Sequence, residues 1–570
     1  MTRPRGLVLP ERRYNAFNPD GGTATLRRWI IGVCFLLLAS ASSSAQEHEH
    51  PPAENLGIVH FPTSCNEPAQ REIDRAVALL HSFQFIKAIQ GFNAALQDDP
   101  TCGIAYWGIA LSQWSNPFAV GMKDPKQLQA GRASAEQGKT TGAKTDRERA
   151  YIAAVSVLYN DFEHTSQQAR LLAYREAMAA LAAKYPTDDE AQIFYALAIA
   201  ASEDPSDKTY AGRLKAGAIL ESLFKKEPNH PGLAHYIIHT YDVPPLAPRA
   251  LEAARRYAEI APDAPHALHM PSHTFTRTGY WQDSINTNIA AAAAAKREGQ
   301  TAEELHASDY ETYAYLQTAQ DRAARAILDS LPEIAARFDP KLVISGAGPP
   351  SAGYFALAAI PARYALERGD WKQATQLTPR ETPFPYTDAT TWFARGLGSA
   401  RMGQSSPAYD AATALKQIRD RLLKSGENYW ALQVEIQEFS VRAWAAFAEG
   451  KKDEALRQME AAAVLEDGTD KSAVTPGPIA PARELLGEML LAANQPAQAL
   501  AQFEAALQKE PGRFRSLYGA GHAAQLTGNA AKARQYFAEL LKVCERPDKP
   551  ERPELVEARK ALSQNVAAAF

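Results

Sequence analysis

Between His230 and His273 the chain reads HPGLAHYIIHTYDVPPLAPRALEAARRYAEIAPDAPHALHMPSH, which holds six of its thirteen histidines. A seventh, His306, follows shortly after. Two pairs have the spacing for chemistry: His235 with His239, and His269 with His273. Side chains four apart share one face of an α-helix, and the pairs are offset by 34 residues, one period of a helical-hairpin repeat. Asp242, seven residues after His235, falls on the same helical face by this count. Neutral imidazoles with a carboxylate suit zinc, iron or copper. The zincin protease pattern is excluded, because it needs a glutamate directly after the first histidine and Tyr236 and Met270 stand there. A general base beside a metal-bound water would have to be Asp242 or Asp309.

A second reading needs no metal. Histidines at helical spacing also occur as hydrogen-bonded core residues, and Tyr310, Tyr313 and Gln317 are candidate partners for them. Pro271 bears on both readings, since a proline inside a helix kinks it. If a helix instead begins at Pro271, His269 belongs to the loop before it.

The elements that must position these residues are helical almost throughout. Ala88, Phe92, Ala95 and Pro100 close one helix, and the same set returns as Ala499, Phe503, Ala506 and Pro511, preceded by Gly487. Gly521, Ala533 and Phe537 follow one period later. Small residues let two helices approach, the aromatic fills the gap, and the proline stops the second helix. On these residues the chain resembles the tetratricopeptide-repeat (TPR) superfamily, and among its members the exported bacterial TPR proteins. The likeness is strongest over 480–545 and extends to 69–115 and 231–298.

The resemblance implies an all-α, TPR-like solenoid of stacked antiparallel hairpins whose first helices line a concave groove. His235, His239, His269 and His273 would then face that groove as candidate metal ligands, with Asp309 and Tyr313 at the equivalent offsets on the next first helix. His266, Arg277, His306, Tyr313 and Gln317 are the remaining groove candidates, Arg277 as a holder of a carboxylate.

Residues 1–45 read as a signal peptide: Arg27 and Arg28, an apolar run from Trp29 to Ala39, then small residues ending at Ala45. The expectation is a periplasmic or secreted protein, with an N-terminal membrane anchor as the alternative and no membrane span after cleavage. The net charge of -4 becomes about -8 without that segment, and no Lys/Arg stripe appears, so nucleic acid is not an expected partner. A lead-in segment follows over 46–68, then one TPR-like array over 69–338, a Gly/Pro-rich linker over 339–353 and a second array over 354–570. Glu466 to Pro481 reads as a long exposed loop. Gly138-Lys139-Thr140 lacks the first glycine of a phosphate loop, and Tyr106, Trp107 and Trp114 read as packing between hairpins. For Cys65 and Cys102 a disulfide and two buried thiols both stand.

The leading expectation is a noncatalytic scaffold that binds a peptide, protein or small ligand in its groove, with a protein or peptide as the expected partner. The alternative is a metal-binding protein or metal-dependent enzyme, such as a hydrolase, using the His/Asp cluster.

Overall fold

The computed structural model describes residues 54–118, 123–204, 206–339 and 347–567; the segment 1–45 read as a signal peptide and the linker glycine Gly346 lie outside them. Antiparallel helices follow one another from Glu67–His81 to Pro553–Ala567, and no strand occurs among the described residues. The fold is an all-α solenoid of stacked hairpins.

Local signals start and stop these helices. Asn66 caps the first by accepting from the Ala69 N–H, and Thr145 and Glu148 form a reciprocal capping box. Gly279, with φ at 75°, ends the helix Pro271–Thr278 in the left-handed conformation. The small-residue and aromatic positions pack as the repeat pattern predicts. A Cβ added at Gly108 would lie 2.2 Å from the ring of Phe92, and one at Gly519 would lie 2.4 Å from that of Phe503. Each phenylalanine therefore fills a slot that only glycine leaves open. Trp107 is buried against Phe61, stacked at 4.9 Å, and against the edges of Tyr151 and Phe194. Gly138-Lys139-Thr140 lies within the helix Pro125–Thr141, which ends at Gly142.

A disulfide joins Cys65 to Cys102, tying the extended segment before the first helix to the start of the helix Ile104–Trp114. Cys544 is a buried free thiol.

The solenoid is wound tightly enough for distant repeats to meet. Trp281 Nε1 donates to the Gly512 carbonyl at 2.9 Å, Gln317 Oε1 accepts from the Phe514 N–H at 2.9 Å, and the Asp548 N–H donates to the Ala319 carbonyl. Helices on either side of 340–349 pack directly, Thr301–Gln317 against Pro350–Leu366. The segment read as an exposed loop, Glu466 to Pro481, is instead an interior strap. Ser472 and Thr475 are buried, Tyr310 holds the Ala473 and Thr475 carbonyls at 3.0 Å, and Arg363 holds Thr475, Gly477 and Pro478. Its polar, Gly/Pro-rich composition reflects backbone groups satisfied by buried side chains rather than by water.

Candidate metal centre

His235 and His239 sit on the helix Pro231–Thr240, where Pro231 occupies the first turn. His266 and His269 sit on the short helix Pro265–His269, and His273 on Pro271–Thr278. Pro271 breaks the path between them, but Met270 keeps right-handed helical angles, so the two segments run end to end. His306 comes from the helix Thr301–Gln317.

The four expected ligands divide between two groups, each completed by a histidine that the spacing had placed only in the groove lining. His235, His239 and His266 form one triad; His269, His273 and His306 form the other. Within each, one nitrogen per residue lies within 4.8 Å of the other two. The triads adjoin, with the rings of His239 and His273 centred 5.7 Å apart and those of His266 and His269 5.9 Å apart. All six are buried, so at these positions the array presents a filled interior and not an open groove.

Hydrogen bonding fixes the tautomers. His235 Nδ1 meets the His81 carbonyl at 2.6 Å, an oxygen that only accepts, so Nδ1 carries the proton and Nε2 is a bare lone pair. His266 Nδ1 donates likewise to Glu303 Oε1 at 2.8 Å, and His273 Nδ1 to Asp242 Oδ2 at 3.0 Å. His269 Nδ1 donates to Asn288 Oδ1 at 2.7 Å, with that amide oriented by its NH2 bond to the Ser284 carbonyl. The freed atoms converge on nothing: Nε2 of His235, His239 and His266 has no hydrogen-bond partner among the described residues. In the second triad, His269 Nε2 and His273 Nε2 face each other at 3.2 Å, two lone pairs in contact unless a cation lies beside them. Three nitrogens at ~2.1 Å around a tetrahedral ion stand roughly 3.4 Å apart, close to that separation.

Electrostatics keep five of the imidazoles neutral. Burial, reinforced by neighbouring histidines, holds His235, His239 and His269 well below the ordinary imidazole range. Burial brings His273 down to about 4 against the opposing pull of Asp242, and His306 down to about 3 against that of Glu303. Neutral imidazole is the form that ligates metal.

Neither candidate base is free for that role. Asp242 lies beyond the end of its helix, in the turn after Thr240, not on the His235 face. It reaches His273 from outside and is also paired with Arg277 at 3.1 Å and Lys471 at 2.8 Å. Burial would raise its carboxyl, but Lys471, His273 and Arg277 outweigh this and hold it well below the carboxylate range. Asp309 turns to Arg363 at 2.9 Å and belongs to neither triad; burial lifts its carboxyl above the ordinary value despite that guanidinium. Tyr313 and Gln317 are also buried away from the triads, Tyr313 accepting from Arg513 at 2.9 Å and Gln317 from the Phe514 N–H. Arg277 does hold carboxylates, those of Asp242 and Glu510.

Asn288 and Glu303, which fix two of the rings, carry no signal in the histidine spacing; only the fold brings them there. A third cluster, His81–Glu190–His230, differs in kind. Glu190 accepts from both Nε2 atoms, at 2.9 and 3.0 Å, so a carboxylate already occupies the space between the two rings, while His230 Nδ1 has no hydrogen-bond partner among the described residues.

Two neighbouring pockets share Tyr386 and Trp430: a smaller one bordered by His239, His266, His273 and His306, and a larger one bordered by Arg277 and Lys471.

No protein-family model matches the chain, and no curated protein does. Among solved structures, the human IFIT1 dimer with m7Gppp-AAAA is similar at 10% identity and a TM-score of 0.34, covering 84% of this chain and 96% of that one. A monomeric IFIT1 mutant with Gppp-AAAA gives 11% identity and a TM-score of 0.34, covering 84% and 98%. Likeness at this level carries no argument about ligands.

No helix among the described residues is long and apolar enough to cross a membrane.

Proposed function

We propose that this chain is a transition-metal protein that binds ions at two adjacent three-histidine sites inside a TPR-like scaffold. One observation carries the reading: the Nδ1–H bonds of His235, His266, His269 and His273 are fixed by carbonyl, amide and carboxylate acceptors, which leaves Nε2 of His235 and His266 without a partner and turns Nε2 of His269 and His273 toward each other. That pairing of a bare nitrogen with a hydrogen-bonded opposite nitrogen is the arrangement of ligating histidines, and it recurs here in rings that lie within one ion's reach of each other. Imidazole-only sets suit zinc and copper. The Cys65–Cys102 disulfide supports placing the protein in an oxidising compartment, in keeping with export.

The test is elemental analysis of untagged full-length protein purified without chelator, beside a variant carrying His235→Ala and His239→Ala. Zinc or copper near stoichiometry in the parent, reduced in the variant, supports the reading. No metal in the parent, even after reconstitution, would leave the cluster as packing and return attention to ligand binding in the larger cavity.

A further inference from the structure

We infer that the two triads form a single dinuclear copper centre that takes dioxygen between its ions; this rests on the metal-binding reading above. Three features of the structure lead there.

First, the two sites share one space. One small pocket is bordered by His239 and His266 from one triad and by His273 and His306 from the other. Ions held by the two sets would therefore border the same pocket, and a small ligand entering it would meet both. Phe118, stacked on His239 at 4.2 Å, and Trp430 make much of the remaining wall apolar, which suits an uncharged diatomic better than a hydrated anion.

Second, the ligand set is uniform. Each triad consists of three imidazoles and no carboxylate. Three neutral nitrogens are a complete set for cuprous ion, which is stable at three-coordination, while a zinc ion of this kind needs a fourth ligand.

Third, the surrounding charge balance favours the smaller ionic charge. The charges bonded to the triads, directly or through a shared partner, are the carboxylates Asp242, Glu303 and Glu510 and the cations Arg277 and Lys471. Within this linked set one negative charge is in excess. Two cuprous ions add two positive charges to this interior and two zinc ions add four, and uncompensated buried charge is costly.

The redox step balances within the centre. Each cuprous ion gives one electron, dioxygen takes both and becomes a peroxide bridging two cupric ions, and no proton or outside reductant is consumed. Loss of dioxygen reverses it.

The experiment loads full-length protein with copper(I) under anaerobic conditions, removes excess metal, counts copper per chain, and then admits dioxygen while recording electron paramagnetic resonance and near-ultraviolet absorption. The expected result is two coppers per chain. On oxygenation a charge-transfer band should appear with no cupric resonance, because the bridge couples the two spins. His306→Gln and, in the other triad, His239→Leu should each bind one copper and give a full cupric signal after oxidation, with circular dichroism confirming the fold of at least one. Two coppers with a resonance integrating to two isolated spins, or only one copper in the parent, would overturn the coupled centre. Two zinc ions and no retained copper would overturn the choice of metal while leaving the metal-binding reading intact. Failure to bind any metal would overturn both.

Discussion

His239→Leu separates a ligand from a core residue through its effect on the metal-free protein. His239 Nε2 is buried without a partner, and an unsatisfied buried polar atom costs about 1–3 kcal/mol. Leucine removes that atom at a modest change in volume. It also removes the ring stacked on Phe118, worth about 0.5–1.5 kcal/mol. In chelator the variant should therefore fall between about 0.5 kcal/mol below the parent and about 2.5 kcal/mol above it. A metal at roughly a thousand times its dissociation constant stabilises a site by about 4 kcal/mol, so adding metal should favour the parent and reverse the order. Urea unfolding followed by circular dichroism, with chelator and with metal, reads both. If the variant loses 2 kcal/mol or more in chelator and metal stabilises both proteins equally, His239 is a packing residue and the tautomer argument fails.

Other perturbations probe the scaffold. Gly519→Ala places a methyl group against Phe503 and should cost about 1–3 kcal/mol by overpacking, measured as a lowered urea midpoint. Reducing the Cys65–Cys102 bridge, with its 37-residue separation, should cost about 2–4 kcal/mol, read by unfolding with and without reductant. Arg363→Ala strips the anchor from the strap and leaves Asp309 without its partner. A cost of about 3–5 kcal/mol and faster tryptic cutting at Lys471 should result; unchanged cutting would show that the strap is held elsewhere. Burial raises Glu311 to about 7. With its carboxyl protonated more readily in the folded state than in the unfolded one, the contribution of Glu311 to stability should be full below about pH 4.5 and be lost as pH rises toward 7. The loss is at most about 3 kcal/mol, and Glu311→Gln should flatten that slope in a pH series of unfolding curves.

The architecture was legible because it is written in short range. Phe92, Phe503 and the glycines opposite them mark hairpins at a fixed period, and His235, His239, His269 and His273 declare themselves by helical spacing. What completes each triad was not legible as such. His266 lies 27 residues after His239, and His306 lies 33 after His273, distances with no local meaning until helices from successive hairpins pack. Asp242 was misplaced because counting by helical turns assumes the helix continues, and this one ends at Thr240. The strap was read as solvated because Gly477, Pro478 and their neighbours look like loop, and nothing near them in sequence announces that Arg363 and Tyr310 will supply their hydrogen bonds.

The strap also sets an order in time. All six histidines lie between residues 235 and 306, yet the segment that bonds Tyr310 and Asp242 from the other side begins only at Lys471. During synthesis the histidine helices exist well before the residues that cover them. On the proposed metal-binding reading, an ion captured then would be sealed in when the later repeats fold back, and one arriving afterwards would have to wait for the strap to open. Metal content would then carry a record of the conditions under which the chain folded, and exchange in the finished protein would run at the rate of a conformational opening and not at that of ligand substitution.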